Sequence, residues 1–232
     1  MKYIQEVKAR ANIVQQGTVV VAFVKGENKI VYLDGDPLLD TFVDMGLPSG
    51  TLWAKKNLGA SDETEVGEFF FFGETEGYSE NELQGLNHVS PFEEWSYAIW
   101  AQQDKSTYED KWANYGISDT LNAAKVLGDP SWDIPCMEEW EELNDNVTWR
   151  VAEYNGRTVL IATSTINGNE LIFAFNRYHT KNLDYNDWYG VTVSVSISTE
   201  GANDEMGSYS SAFPIRPIKK VSVQQEDNGG NE

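Results

Sequence analysis

The sequence is short of several residue types, and each shortage excludes a class of chemistry. Cys136 is the only cysteine among 232 residues, so no disulfide can form within the chain and no paired-cysteine site can exist. The two histidines, His88 and His179, are too few for a histidine-rich metal centre. The chain therefore depends on its apolar core for stability, which is compatible with folding in a reducing compartment.

Basic residues are also scarce. The 17 Lys and Arg stand against 37 Asp and Glu, which gives a net charge of −20. Proteins that bind nucleic acids need a basic face, so the composition excludes nucleic acid as a partner. The many acidic side chains are compatible with calcium, which prefers oxygen ligands, but no motif specifies a site. We therefore predict no cofactor and no bound metal.

Long apolar runs are missing as well. The longest, residues 18–24 (TVVVAFV), is far too short to span a bilayer, so no membrane insertion is predicted. Charged residues are scattered through the first ten positions, which is unlike a secretory signal peptide. The sequence therefore predicts a protein made in the cytoplasm and not exported by the usual route.

The two ends of the chain differ in composition from its middle. The strand-like runs 18–24 and 29–33 flank a polar Gly-containing turn and predict an N-terminal β-hairpin. A lone hairpin is marginal in water, so residues 1–40 are predicted to be an attachment or oligomerisation segment that packs on copies of itself. Residues 221–232 are polar and acidic, which predicts a disordered tail.

Residues 41–220 have the pattern of one α+β domain with about two helices and irregular antiparallel sheets. Helical spacing of apolar residues covers 118–127 and, after Pro135, 137–146. Strand signals cover the segments 158–163, 170–175, 191–198 and 210–215. Large aromatic side chains contribute strongly to burial, so four tryptophans are predicted in or against the core: Trp53, Trp132, Trp140 and Trp149.

Four blocks in this domain carry a family resemblance. They are FVDMGLPSGTLWA (42–54), GEFFFFGE (67–74), WDIPCMEEWEEL (132–143) and FPIRPI (213–218). In this order they resemble the motifs of the "major paralogous" domain family of gut bacteria and their phages. The resemblance implies a C-type-lectin-like fold, related to formylglycine-generating enzymes and to the variable proteins of diversity-generating retroelements. Such folds display a variable loop surface on a rigid core.

The segment 178–190 (YHTKNLDYNDWYG) is the candidate ligand-binding surface, and we predict it to be a loop. Aromatic and amide side chains together make good recognition surfaces and suit sugar stacking. The alternative interpretation is an ordinary Asn-rich loop whose aromatic residues pack into the core. The candidate residues are Tyr178, His179, Asn182, Tyr185, Asn186, Asp187, Trp188 and Tyr189.

These observations together predict a non-enzymatic phage virion structural protein, either a head fibre or a tail-associated adhesin. Its expected partners are other virion proteins, bound through residues 1–40, and a host-surface glycan or protein; the expected assembly is a homotrimer. One alternative is a bacterial carbohydrate- or protein-binding lectin-like module. A second is a formylglycine-generating type of enzyme, which usually needs a cysteine pair. The single Cys136 disfavours this enzyme and fits a buried structural thiol better.

Overall fold

The computed structural model describes residues 13–16, 19–24, 27–32, 41–86, 88, 117, 119–174, 176–185, 190–207 and 211–221. For residues 13–32, 183–185, 190–193 and 206–207 the description covers the backbone alone. Most of the predicted attachment segment and acidic tail, and Asn186 to Tyr189 of the candidate surface, lie outside these residues.

Antiparallel sheets make up most of the described chain, with few helices, which is the predicted α+β class. The sheets have the strand orders β1-β2-β3, β4-β5-β15-β7, β14-β6, β10-β9-β8 and β11-β12-β13. The strands are β1 (Ile13–Gln16), β2 (Val19–Val24), β3 (Glu27–Tyr32), β4 (Phe42–Asp44), β5 (Leu52–Ala54), β6 (Phe69–Phe70), β7 (Trp132–Asp133), β8 (Val147–Tyr154), β9 (Arg157–Ser164), β10 (Glu170–Ala174), β11 (Arg177–Tyr185), β12 (Gly190–Ser198), β13 (Gly201–Gly207), β14 (Phe213–Pro214) and β15 (Ile218–Lys219).

The helical elements are short. They are α1 (Glu80–Leu83), a 3-10 turn (Asp119–Leu121), a π-helical turn (Ala124–Gly128) and α2 (Met137–Asp145). Helix α2 occupies the predicted segment, and Pro135 lies one residue before its N-cap, Cys136. The acidic residues Glu138 and Glu139 lie in its first turn, where they complement the positive end of the helix dipole.

The main core forms where α2 packs against β5, β9, β10, β11, β12 and β15. Trp53 and Trp140 are at its centre, with ring centroids 4.6 Å apart, and both are almost completely buried. Trp149 packs against this core and Trp132 against two smaller apolar clusters. The predicted core positions of the four tryptophans are confirmed.

Several predicted elements differ from the observed ones. The segment predicted as a helix over 118–127 is instead two short turns, because Asn122 between them accepts hydrogen bonds from Ala124 N and Lys125 N with its own side chain. In the N-terminal hairpin, β3 starts at Glu27, two residues before the predicted strand, and β1 adds a third strand to β2.

The predicted loop from Tyr178 is wrong over most of its length, because residues 177–185 form strand β11. Strands β8 and β13 were not predicted at all. Their sequences, VTWRVAEY and GANDEMG, are rich in polar residues, since both strands lie at sheet edges and have only one neighbouring strand. The strand predicted over 210–215 shrinks to Phe213–Pro214.

Candidate functional site

A groove of about 360 Å³ lies between the segment that follows β5 and the segment that leads into β7. One wall is the backbone from Ala54 to Ala60, including Lys55 and Lys56. Leu127, Gly128 and Trp132 form the other wall, and Thr41 also contributes. The volume is in the range of small-molecule binding sites.

The first wall is fixed from the inside by Arg216, whose side chain is fully buried. The guanidinium donates to the carbonyl oxygens of Ala54 at 2.9 Å and Lys55 at 2.6 Å, and to Asn57 Oδ1 at 2.7 Å. A fourth bond reaches the carbonyl oxygen of Ile172 on β10 at 2.8 Å. These bonds tie the wall to the core, so its outer surface is organised before a ligand arrives.

Arg216 carries its charge without an ion pair among the described residues, because these bonds go to carbonyl and amide oxygens. The ring of Phe173 lies 4.5 Å from the guanidinium carbon and adds a cation–π contact. Burial lowers the pKa of Arg216 from its usual value, although a guanidinium stays protonated in proteins. A positive charge therefore lies directly behind the groove wall, in a medium that screens it less than water does.

Trp132 forms the opposite wall and is only partly buried. Its ring meets that of Phe42 edge-on, with centroids 5.3 Å apart. Gly128 lies so close that a Cβ atom there would be 2.3 Å from the Trp132 ring. The groove therefore has an aromatic wall whose position depends on glycine at residue 128.

Next to the groove, a β-bulge in β11 is hydrogen-bonded to the start of α2. The register with β12 shifts between His179 and Leu183. Within this bulge, Lys181 N donates to the Pro135 carbonyl at 3.1 Å, and Asn182 Oδ1 accepts from Met137 N at 2.8 Å. The bulge thus satisfies one of the free N–H groups at the helix start and fixes where β11 leaves the core.

Cys136 is half-buried at the N-cap of α2, whereas a fully buried thiol was predicted. Its backbone N donates to Glu139 Oε2 at 2.7 Å, its thiol bonds the same carboxylate, and Lys220 pairs with the other oxygen of Glu139. Burial, together with the carboxylates of Glu138 and Glu139, raises the pKa of Cys136 to about 12. The arrangement holds the thiol in its protonated, unreactive form.

We expect Cys136 to react slowly with a thiol reagent such as DTNB in the folded chain. At pH 8 a pKa of about 12 leaves roughly 1000-fold less thiolate than the ordinary value of 9.0. The same chain unfolded in guanidinium is the control, since it has only this thiol. A folded-state rate within tenfold of the unfolded rate would contradict the inert role.

Those predicted ligand-binding residues whose side chains are described, Tyr178, His179 and Asn182, do not form one exposed surface. Tyr178 and His179 lie in the core, where no ligand can contact them, because β11 turns these side chains inward against β6, β10 and β14. Asn182 caps the helix start. Tyr185 ends strand β11 and only its backbone is described. The groove was not predicted, because its lining residues come from segments far apart in the sequence.

His179 is a buried, neutral residue. Its Nε2 lies 2.5 Å from the carbonyl oxygen of Phe70, which can only accept, so Nε2 carries the proton. Its Nδ1 has no hydrogen-bond partner among the described residues. Burial lowers the pKa of His179 to about 4, and the bond to Phe70 opposes this only in part.

We expect His179 to make the fold sensitive to acid. The unfolded chain binds this proton near pH 6.5 and the folded chain only near pH 4, so stability falls as the pH drops through this interval. The loss at pH 4 is about 3 kcal/mol relative to pH 7. Urea unfolding of wild type and of His179→Gln at both pH values measures it. An equal loss in both proteins would contradict the assignment.

In the part of the chain that the structure describes, no group of three or more His, Cys, Asp or Glu is arranged to hold a metal ion. Among the same residues, no helix is both long and apolar enough to cross a membrane. Comparisons with protein-family models, with curated proteins and with solved structures found no match.

Proposed function

We propose that this chain is a phage virion structural protein, a head fibre or tail-associated adhesin, whose C-type-lectin-like domain recognises the host surface through the groove. The domain acts by binding and not by catalysis. Residues 1–40 attach it to the particle, and the groove faces outward.

The proposal rests on one observation: three of the four blocks that resemble the family motifs come together at the groove. Ala54 ends the first block, Trp132 begins the third, and Arg216 lies in the fourth. Ala54 and Trp132 line the groove, and Arg216 holds its wall in place by donating to the carbonyl oxygens of Ala54 and Lys55. Segments far apart in the chain thus build one preorganised concave surface, which is what a recognition domain requires.

The state of the reactive side chains supports binding over catalysis. A formylglycine-generating type of mechanism needs a reactive thiol, and the raised pKa of Cys136 works against one. His179 is buried with its proton donated to a backbone carbonyl, which leaves it out of reach of any substrate.

Particle association tests the virion role. Phage particles assembled with the full chain should retain it through density-gradient purification, detected by mass spectrometry. Particles assembled with residues 1–40 deleted should lack the protein, while the deleted chain remains soluble and folded by circular dichroism. A full chain that never co-purifies with particles would contradict the proposal and favour a free bacterial lectin-like module.

The assembly role of residues 1–40 has a separate test. The backbone of β1, β2 and β3 forms an antiparallel sheet of its own, which suits pairing between copies. Light scattering should give a trimer for the full chain and a monomer for residues 41–232. Equal monomeric masses for both would refute the assembly role.

A further inference from the structure

The groove is positive although the chain as a whole carries a charge of −20. Lys55 and Lys56 line it, and Lys219 stands directly across from Trp132 in the pairing of β15 with β7. Within the described residues, none of these three lysines forms an ion pair. Lys56 Nζ donates to the carbonyl oxygen of Ser61 at 2.7 Å, and Lys219 attracts the carboxylate of Asp129. Of the two lysines that line the groove, only Lys55 has no hydrogen bond or ion pair among the described residues.

A second, independent source of positive charge lies behind the wall. Arg216 is fully buried and bonds groove-lining residues only through neutral oxygens. A buried cation is normally compensated by a carboxylate, because removing a charge from water is costly. Here the direct partners are neutral oxygens, and the carboxylate of Glu63 attracts the guanidinium without an ion-pair contact. An anion in the groove would therefore gain from this charge as well as from the lysines.

Among the described residues, none that lines the groove is acidic, and acidic residues lie beside it. Glu68 packs against Gly59, and Asp129 follows Gly128 in the chain. Both would repel a second negative charge, but both can accept hydrogen bonds from hydroxyl groups. Together with the aromatic wall of Trp132, the groove suits a ligand that has one central anionic group, hydroxyls around it and an apolar face.

Building on the recognition function above, we propose that the groove binds an anionic saccharide. Its carboxylate or sulfate group lies against Lys55, its ring packs against Trp132, and its hydroxyls reach the flanking carboxylates. The charged group supplies the discrimination, because charge-assisted hydrogen bonds are about twice as strong as neutral ones.

The test is calorimetric titration of the full chain with three tetrasaccharides: hyaluronan, which carries carboxylates, a chondroitin sulfate, and neutral chitotetraose. At least one charged saccharide should bind about tenfold or more tightly than chitotetraose. Lys55→Gln should weaken that binding about tenfold. Arg150→Gln removes the same charge from β8, where Arg150 pairs with Glu170, and should leave binding unchanged.

Binding of hyaluronan would show that a carboxylate is sufficient, whereas binding of the chondroitin sulfate alone would show that the sulfate group is needed, and either result supports the proposal. Equal affinity for charged and neutral saccharides would overturn it, as would equal effects of Lys55→Gln and Arg150→Gln. Tighter binding of an oligoglutamate peptide than of every saccharide would also overturn it and indicate an acidic protein partner. Particle attachment to host cells is scored separately, so the recognition function can survive when the saccharide inference fails.

Discussion

Replacing Arg216 with methionine is expected to destabilise the domain by about 4 kcal/mol, a large part of the stability of an ordinary domain. The substitution leaves four buried acceptors without donors: three carbonyl oxygens, of Ala54, Lys55 and Ile172, and Asn57 Oδ1. Each unsatisfied buried group costs about 1 to 3 kcal/mol. The relief from no longer burying a charge offsets only part of this sum.

Urea unfolding followed by tryptophan fluorescence measures the effect. Arg150→Met is the matched control, because Arg150 is half-exposed on β8 and its ion pair contributes little. Arg216→Lys should resemble Arg216→Met more than wild type, since one ammonium cannot reach acceptors on both β10 and the groove wall. An unfolding midpoint for Arg216→Met equal to that of wild type would contradict the role assigned to Arg216.

Trp140→Ala is the second substitution with a large expected effect, about 3 to 5 kcal/mol. Trp140 is 1 % exposed and touches the rings of Trp53, Phe173 and Tyr178. Truncation leaves a cavity at the point where α2 meets several strands, and these rigid strands cannot collapse to fill it.

Trp140→Phe separates packing from hydrogen bonding. The Nε1 of Trp140 has no hydrogen-bond partner among the described residues, so loss of this group removes no bond. Phenylalanine keeps most of the ring contacts and should cost less than half as much as alanine. Thermal unfolding of both variants gives the comparison. A phenylalanine variant as unstable as the alanine variant would show that the indole N–H matters and the packing explanation fails.

Local sequence patterns predicted the helices and strands whose buried residues recur at helical or strand spacing. Helix α2 has apolar residues on one face, acidic residues in its first turn and a proline just before it, and all three signals agree. Strands β9 and β10 were predicted because each contains a continuous apolar run, VLIA in β9 and LIFA in β10, as expected of strands buried on both faces.

Strand β11 shows why other parts could not be predicted. Its sequence RYHTKNLDY is rich in residues that favour turns, and only the pairing with β12 and the burial of Tyr178 and His179 make it a strand. Tertiary contacts of this kind have no local signature. The same limit applies to the bulge, which exists because Asn182 and Lys181 have partners at the start of α2.

The groove was beyond prediction for a related reason. It unites residues 54–60 with 127–132, and it depends on Arg216, about 160 positions further along the chain than the wall it holds. Pairs of lysines are usually solvated surface residues, so Lys55 and Lys56 by themselves indicate nothing. Only the fold shows that these lysines lie over the buried guanidinium of Arg216, which has no ion pair among the described residues, and so identifies them as candidate binding residues.

The central claim is that recognition takes place in the groove, and the most direct measurement screens the full chain and Gly128→Ala on one saccharide array. The added methyl would lie 2.3 Å from the Trp132 ring, so the ring must shift and the groove change shape. We expect wild type to bind saccharides and Gly128→Ala, checked for folding by near-ultraviolet circular dichroism, to lose that binding. A wild-type chain that binds no saccharide would contradict the saccharide inference, and a folded Gly128→Ala that binds equally well would contradict recognition in the groove.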